Sequence, residues 1–145
     1  MAFQLHPRLA ADTIPLGKFS LSRLLLMNDS RYPWCILVPE RENIREIHAL
    51  SENDQRTLLH EMSLLSQRMQ ECFDAHKMNV AALGNQVPQL HVHVIARNTS
   101  DPAWPGAVWG FGDATPYADA NLSALRRRLL SELGPGFQER REATG

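Results

Sequence analysis

The densest chemistry in this chain lies in the segment Gln89-Leu90-His91-Val92-His93-Val94-Ile95. Apolar residues at every second position mark an extended strand, in which residues i, i+2 and i+4 share a face. Gln89, His91 and His93 are therefore expected to stand in a row, alternate residues roughly 7 Å apart, with Leu90, Val92 and Val94 turned into the core. Imidazoles titrate near neutrality without any perturbation. Three readings of the row compete. In the first, these are partly buried polar residues on a solvent-facing sheet surface. In the second, His-x-His supplies two ligands to zinc or iron. That site needs a third donor, and the next acidic residue after the pair is Asp101. In the third, a neutral imidazole attacks phosphorus to give a phosphoramidate that water later opens. The second imidazole then bonds the non-bridging oxygens or gives a proton to the leaving group.

Such a row needs elements to hold it. Residues 18–27, with Phe19, Leu21 and the run Leu24-Leu25-Leu26-Met27, read as a strand, after a turn at Pro15-Leu16-Gly17 and before a break at Asn28-Asp29-Ser30. Residues 35–38, stopped by Pro39, read as a second strand antiparallel to it. Ser51-Glu52-Asn53-Asp54 carries a capping-box signature, with Ser51 as N-cap and Asp54 reaching back. Leu58, Met62, Leu65, Met69 and Cys72/Phe73 then predict an amphipathic helix over 52–76. Strands follow at 78–83 and 90–96, and then an irregular arm over 98–116 that carries Trp104 and Trp109. Leu122, Leu125, Leu129 and Leu133 predict a second helix, closed by Gly134-Pro135-Gly136, with a frayed polar end over 138–145. The order β-β-α-β-β-α predicts an α+β fold, an antiparallel sheet with one long packed helix and a C-terminal helix and arm. One domain is expected over 1–145, with its core at about 3–97 and the arm and C-terminal helix at 98–145.

Composition narrows the function classes. Fifteen Lys and Arg against sixteen Asp and Glu give a net charge of −1, which argues against a general footprint for duplex nucleic acid but leaves room for a local anion site. The longest apolar run, Trp34 to Val38, is far short of a membrane span, and no charged and apolar leader opens the chain. Cys35 and Cys72 are too few and too scattered for a disulfide scaffold or a thiolate zinc site. A soluble, cytoplasmic protein is expected. Trp104 and Trp109 either close over a base or leaving group or pin the arm to the sheet or to a second subunit. Arg97 either neutralises phosphate or is a solvated strand end. Arg126, Arg127 and Arg128 read as a solvated helix face, and His6, His48, His60 and His76 show no partner spacing.

The segment Gly84-Asn85-Gln86-Val87-Pro88-Gln89-Leu90-His91-Val92-His93-Val94-Ile95 resembles the signature of the histidine triad superfamily of nucleotide hydrolases and transferases, His-φ-His-φ-His-φ-φ after a Gly-Gln-Ser/Thr turn. Leu26-Met27-Asn28-Asp29 resembles the family strand whose Asn contacts the ribose. Pro33 and Cys35-Ile36-Leu37-Val38-Pro39 resemble its Pro-Gly-His-φ-φ-φ-Pro strand, and Leu50-Ser51 opens a helix where the family has one. The likeness spans about 3–97. It implies that His91 is the nucleophile, that His93 acts on the α-phosphate or the leaving-group oxygen, and that Asn28 sits at the ribose. Asn85 takes the place of the turn Gln that orients phosphates, with Gln86 as the alternative. Two positions depart from the pattern: Gln89 replaces the first triad His, and Cys35 replaces the His of the upstream strand. Gln89 can still hydrogen-bond the nucleophilic imidazole but cannot carry a proton. The resemblance implies a homodimer acting on a purine nucleotide conjugate, such as a dinucleoside polyphosphate or a nucleoside phosphoramidate. No cofactor is required, and Mg²⁺ would arrive with a polyphosphate. Two rival expectations stand beside this one: a nucleotide-binding module without turnover, favoured by Gln89 and Cys35, and a metal-dependent enzyme.

Overall fold

The computed structural model describes residues 2–140. Its centre is a six-stranded antiparallel sheet in the order β4-β5-β3-β2-β1-β6, built from β1 (Thr13–Lys18), β2 (Ser22–Met27), β3 (Trp34–Pro39), β4 (Lys77–Ala81), β5 (Val92–Arg97) and β6 (Gln138–Glu139). Three α-helices among the described residues flank it: α1 (Pro7–Asp12), α2 (Glu52–Phe73) and α3 (Asp119–Leu130). The architecture is α+β, as the element order predicts. No helix among the described residues is long and apolar enough to cross a membrane.

Both faces of the sheet are covered, which explains the unbroken apolar runs in β2 and β3. Leu24, Leu26, Cys35, Leu37, Val92 and Val94 pack on one side with Leu58, Leu65 and Met69 of α2. Leu25, Ile36, Val38 and Ile95 pack on the other, under Leu9 of α1 and Val108 of the arm. The long helix is capped as its sequence predicts at Ser51, whose Oγ accepts from the Asp54 N–H at 3.1 Å. The reciprocal half of the box does not form, because the Asp54 carboxylate accepts two bonds from Arg41 instead, at 2.7 and 3.1 Å. Asp74, in the left-handed conformation at φ 50°, ends α2 at Phe73, three residues before the expected end. Glu61, buried on this helix, accepts the Leu21 N–H at 3.0 Å and so ties α2 to the β1–β2 turn.

Four local expectations change. Pro15-Leu16-Gly17 lies inside β1, at a bulge between Pro15 and Gly17, and the chain reverses at residues 19–21 instead. Proline and glycine mark bulges as well as turns, since both interrupt a regular ladder. Ahead of β1, where the sequence predicts no helix, α1 forms over Pro7–Asp12 with His6 as cap; six residues are too few to show a helical period. Residues 138–139 form β6 against β1 rather than fraying. Gly17 permits this, for a Cβ there would collide with the Gln138 carbonyl and the Phe137 ring. Residues 141–145, the rest of the expected frayed end, lie outside the described residues. Finally, α3 stops at Leu130, so Leu133 is buried from the turn beyond the helix.

Candidate active site

Pairing of β5 with β3 aligns His93 with Ile36 and Val94 with Cys35. His93 therefore faces away from α2, and Leu90, Val92 and Val94 face towards it, as the alternation predicts. His91 immediately precedes the strand and shares the face of His93; the two rings sit 4.9 Å apart, edge to face. They are only 5% and 4% exposed, which removes the reading of a solvent-facing row. Both line a cleft of about 390 Å³ bounded by α1, the turn after β2, the 83–87 turn and the arm at 108–114. A larger hollow of about 580 Å³ over β1 and β2 contains no histidine and no orphaned buried polar atom among the described residues.

The hydrogen bonds assign both tautomers. His91 Nδ1 lies 2.7 Å from the Gln89 carbonyl, which can only accept, so the proton is on Nδ1 and Nε2 carries a free lone pair. Trp34 Nε1 donates to His93 Nδ1 at 3.0 Å; an indole N–H can only donate, so the His93 proton is on Nε2. That Nε2 is buried with no hydrogen-bond partner of good geometry among the described residues, although the Leu83 backbone lies near enough to favour charging slightly. Burial, and then repulsion from His91, lowers His93 to about 4. Burial likewise holds His91 below its ordinary value, helped by His6 and opposed by the Gln89 carbonyl. Both imidazoles are therefore neutral at pH 7. A neutral ring with an exposed lone pair is a nucleophile, and a neutral ring with an orphaned N–H is a donor to an oxyanion.

The other predicted residues divide. Asn85 and Gln86 line the cleft. Gln89 does not join the row: its Oε1 accepts the His6 N–H and its Nε2 donates to the Gln4 carbonyl, both at 2.9 Å. The chain bends before β5 starts at Val92, so the alternation that links Gln89 to the histidines in sequence does not extend to it in space. What orients His91 is the Gln89 backbone, not its side chain. Asn28 faces the arm, its Oδ1 accepting the Tyr117 N–H at 2.9 Å. Its neighbour Asp29 lines the cleft, held by Arg31 through bonds of 3.0 and 2.9 Å and by the Thr115 N–H at 3.3 Å. Burial alone would raise the Asp29 carboxyl, but those bonds hold it below the usual carboxylate value. Cys35 points to the α2 side, fully buried, and burial pushes its thiol up to about 12, with a small addition from Cys72. It cannot reach the cleft and stays protonated. Among the described residues no group of three His, Cys, Asp or Glu is placed to hold a metal ion.

Arg97 is neither a phosphate ligand nor solvated. It is 1% exposed and gives its donors to Asp101, Asn79 and the Gly106 carbonyl. Trp104 packs over it and against His76, while Trp109 packs against Trp34 and His93, so both tryptophans are engaged within their own chain. Sequence reasoning missed Trp34, reading it only as the start of an apolar run. The signal was there: it stands where the similar family strand has Gly, on the face opposite Cys35.

The HIT domain family model matches residues 8–100. No curated protein matches the chain. Solved structures do. A histidine triad protein from Marinobacter aquaeolei VT8 is 52% identical over 92% of this chain and 97% of its own, with a TM-score of 0.89. One from Bradyrhizobium japonicum is 42% identical over 92% and 100%, with a TM-score of 0.91. A third, from Sinorhizobium meliloti 1021, is 45% identical over 90% and 96%, with a TM-score of 0.88. With two buried imidazoles on one cleft wall and likeness of this extent to three histidine triad proteins, the chain belongs to the histidine triad family of nucleotide-binding hydrolases and transferases.

Proposed function

We propose that this protein hydrolyses or transfers at the α-phosphorus of purine nucleotide conjugates, dinucleoside polyphosphates or nucleoside phosphoramidates, with His91 as nucleophile. The observation that carries the reading is the 2.7 Å contact between His91 Nδ1 and the Gln89 carbonyl, which leaves the Nε2 lone pair free on a neutral ring. In the first step Nε2 bonds to phosphorus while the bond to the leaving group breaks; that group keeps the electron pair and takes a proton from solvent. Nδ1 retains its proton, and the Gln89 carbonyl stabilises the positive charge that grows on the ring. Water then attacks the same phosphorus and loses a proton to solvent, the N–P bond breaks, and neutral His91 returns as nucleoside monophosphate leaves. An acceptor alcohol or phosphate in place of water gives transfer.

His93 stabilises rather than protonates in this scheme. A neutral imidazole that gave up its Nε2 proton would become an anion, so His93 offers a hydrogen bond to a phosphoryl oxygen and keeps the proton. Asn85 and Gln86 are assigned to the phosphates from the turn. Asn28 and Gln89 act from behind, holding the arm and the N-terminal segment in place. A polyphosphate substrate brings its own Mg²⁺, and the reading includes a homodimer.

The test is chromatographic turnover of adenosine and guanosine polyphosphates and phosphoramidates, with and without Mg²⁺, by wild type and His91→Ala. Wild type should release nucleoside monophosphate, and the variant should lose at least about 10³-fold, equivalent to roughly 4 kcal/mol of barrier. A second reading has its own support: the Gln89 carboxamide is occupied elsewhere and Cys35 is turned away, so neither supplies a proton carrier near His91. On that reading the protein binds a nucleoside monophosphate without turnover, and folded wild type leaves every conjugate intact.

A further inference from the structure

We propose that the indole N–H of Trp109 is a binding group of this cleft, donating to an oxygen of the phosphoryl group that His91 faces. The inference deepens the reading above and takes from it the identity of the ligand. Trp109 Nε1 is buried, yet no acceptor among the described residues reaches it. Few buried N–H groups stay unpaired in native structures, because each has lost its water without a replacement. His93 Nε2 is a second buried N–H in the cleft without a partner of good geometry, and the two rings lie 5.2 Å apart. One wall therefore carries two N–H donors and, 4.9 Å from His93, a ring whose lone pair is free. A ligand that satisfies all three accepts at its oxygens and is electrophilic at its centre, which describes a phosphoryl group and excludes a cation.

The placement of the ring is built in. Arg97 Nη2 holds the arm before it through the Gly106 carbonyl at 2.8 Å, and Arg31 Nη1 holds it after through the Phe111 carbonyl. Gly110 and Gly112, at φ +77° and +62°, adopt the left-handed backbone that lets the arm fold back past the ring. Val108 buries its side chain beside it. Trp34, at 6.0 Å and nearly perpendicular, packs on the other side. A competing use of the N–H is donation to the face of the His93 or Trp34 ring, which are both met at steep angles. The two uses predict different binding.

Titration calorimetry with AMP, GMP, adenosine and guanosine separates them. The proteins are wild type, Trp109→Phe, and a chain carrying benzothienylalanine at position 109, which keeps the bicyclic shape with sulfur in place of N–H. Loss of a donor to a charged group should weaken monophosphate binding about tenfold or more and leave nucleoside binding unchanged in both variants. Unchanged monophosphate affinity in a folded variant overturns the proposal in favour of ring-face donation. Equal loss for nucleoside and monophosphate overturns it in favour of a lid on the base. A wild type that binds no monophosphate overturns it outright. Phosphate binding that depends on Trp109 in a protein without turnover supports this inference while removing the nucleophile reading, so the two fail separately.

Discussion

Strand β5 carries polar side chains on the same face at its two ends, and the arm covers both with a tryptophan, yet the ends are finished differently. At Arg97 the guanidinium makes four bonds of 2.8 to 3.0 Å, two of them to Asp101, one to Asn79 and one to Gly106. The rings of Tyr32 and Trp104 sit 5.6 Å from its charge. At His93 one nitrogen is paired with Trp34, and the other, with Trp109 Nε1 nearby, has no partner of good geometry. Both ends are buried, so exposure does not distinguish them. Saturation does. A buried polar group with a partner at each nitrogen is an anchor, and one with a nitrogen left unpaired is available to a ligand.

The comparison is broken most directly at the anchored end. Arg97→Met keeps the aliphatic stem and leaves Asp101 charged and buried without its partner, which should destabilise the fold by about 3–5 kcal/mol in denaturant unfolding. A loss under about 1 kcal/mol would mean that the pair is not an anchor. The same variant should detach the arm at Gly106, so monophosphate affinity should fall with it.

Acid sharpens the comparison, because the two ends respond in different windows. Folded His93 titrates at about 4 and the unfolded residue at the ordinary 6.5, so the unfolded chain binds more protons between these values. Stability is therefore complete above about pH 6.5 and declines as pH falls towards 4, by about 3 kcal/mol in all; the lowered His91 adds in the same sense. Burial would raise the Asp101 carboxyl, but Arg97 and the backbone N–H groups of Asn98 and Trp104 hold it below 3.8. Its contribution persists above that value and is lost only at lower pH. Unfolding free energies across pH 3 to 7 read both limbs, and His93→Gln should shrink the upper one to the part that His91 contributes. A profile flat from 6.5 to 4 in wild type would contradict the neutral buried pair.

The smallest effect is the most specific. Trp34→Phe deletes the donor to His93 Nδ1, which should cost about 1–3 kcal/mol and free the tautomer. Imidazole nitrogen NMR should show one His93 tautomer in wild type and a mixture in the variant. A single unchanged tautomer would show that something other than Trp34 selects it.

How much of this was legible from residues alone depends on range. The strand through His93, the capped helix after Ser51 and the inward burial of Val92 and Val94 are written in neighbouring residues, and they formed as expected. The position of Gln89 was not legible. Strict alternation extends to it in sequence, but the chain bends before Val92, and contacts with Gln4 and His6, more than eighty residues away, claim its side chain. The strand role of residues 138–139 was equally hidden, since their polarity is local and their pairing with β1 is not.

The sequence by itself determined that two imidazoles would share one face of a buried strand and that this strand belongs to a histidine-triad-like pattern, because side-chain alternation and motif spacing are properties of adjacent residues. Only the tertiary structure decided which nitrogen of each imidazole is free, that Arg97 is an anchor and not a ligand, and that Trp34 and Trp109 belong to the cleft while Trp104 does not. Those outcomes rest on which carbonyls, indoles and carboxylates arrive from β3, the arm and the bend before β5, and such arrivals are fixed by strand register and chain path rather than by residue type.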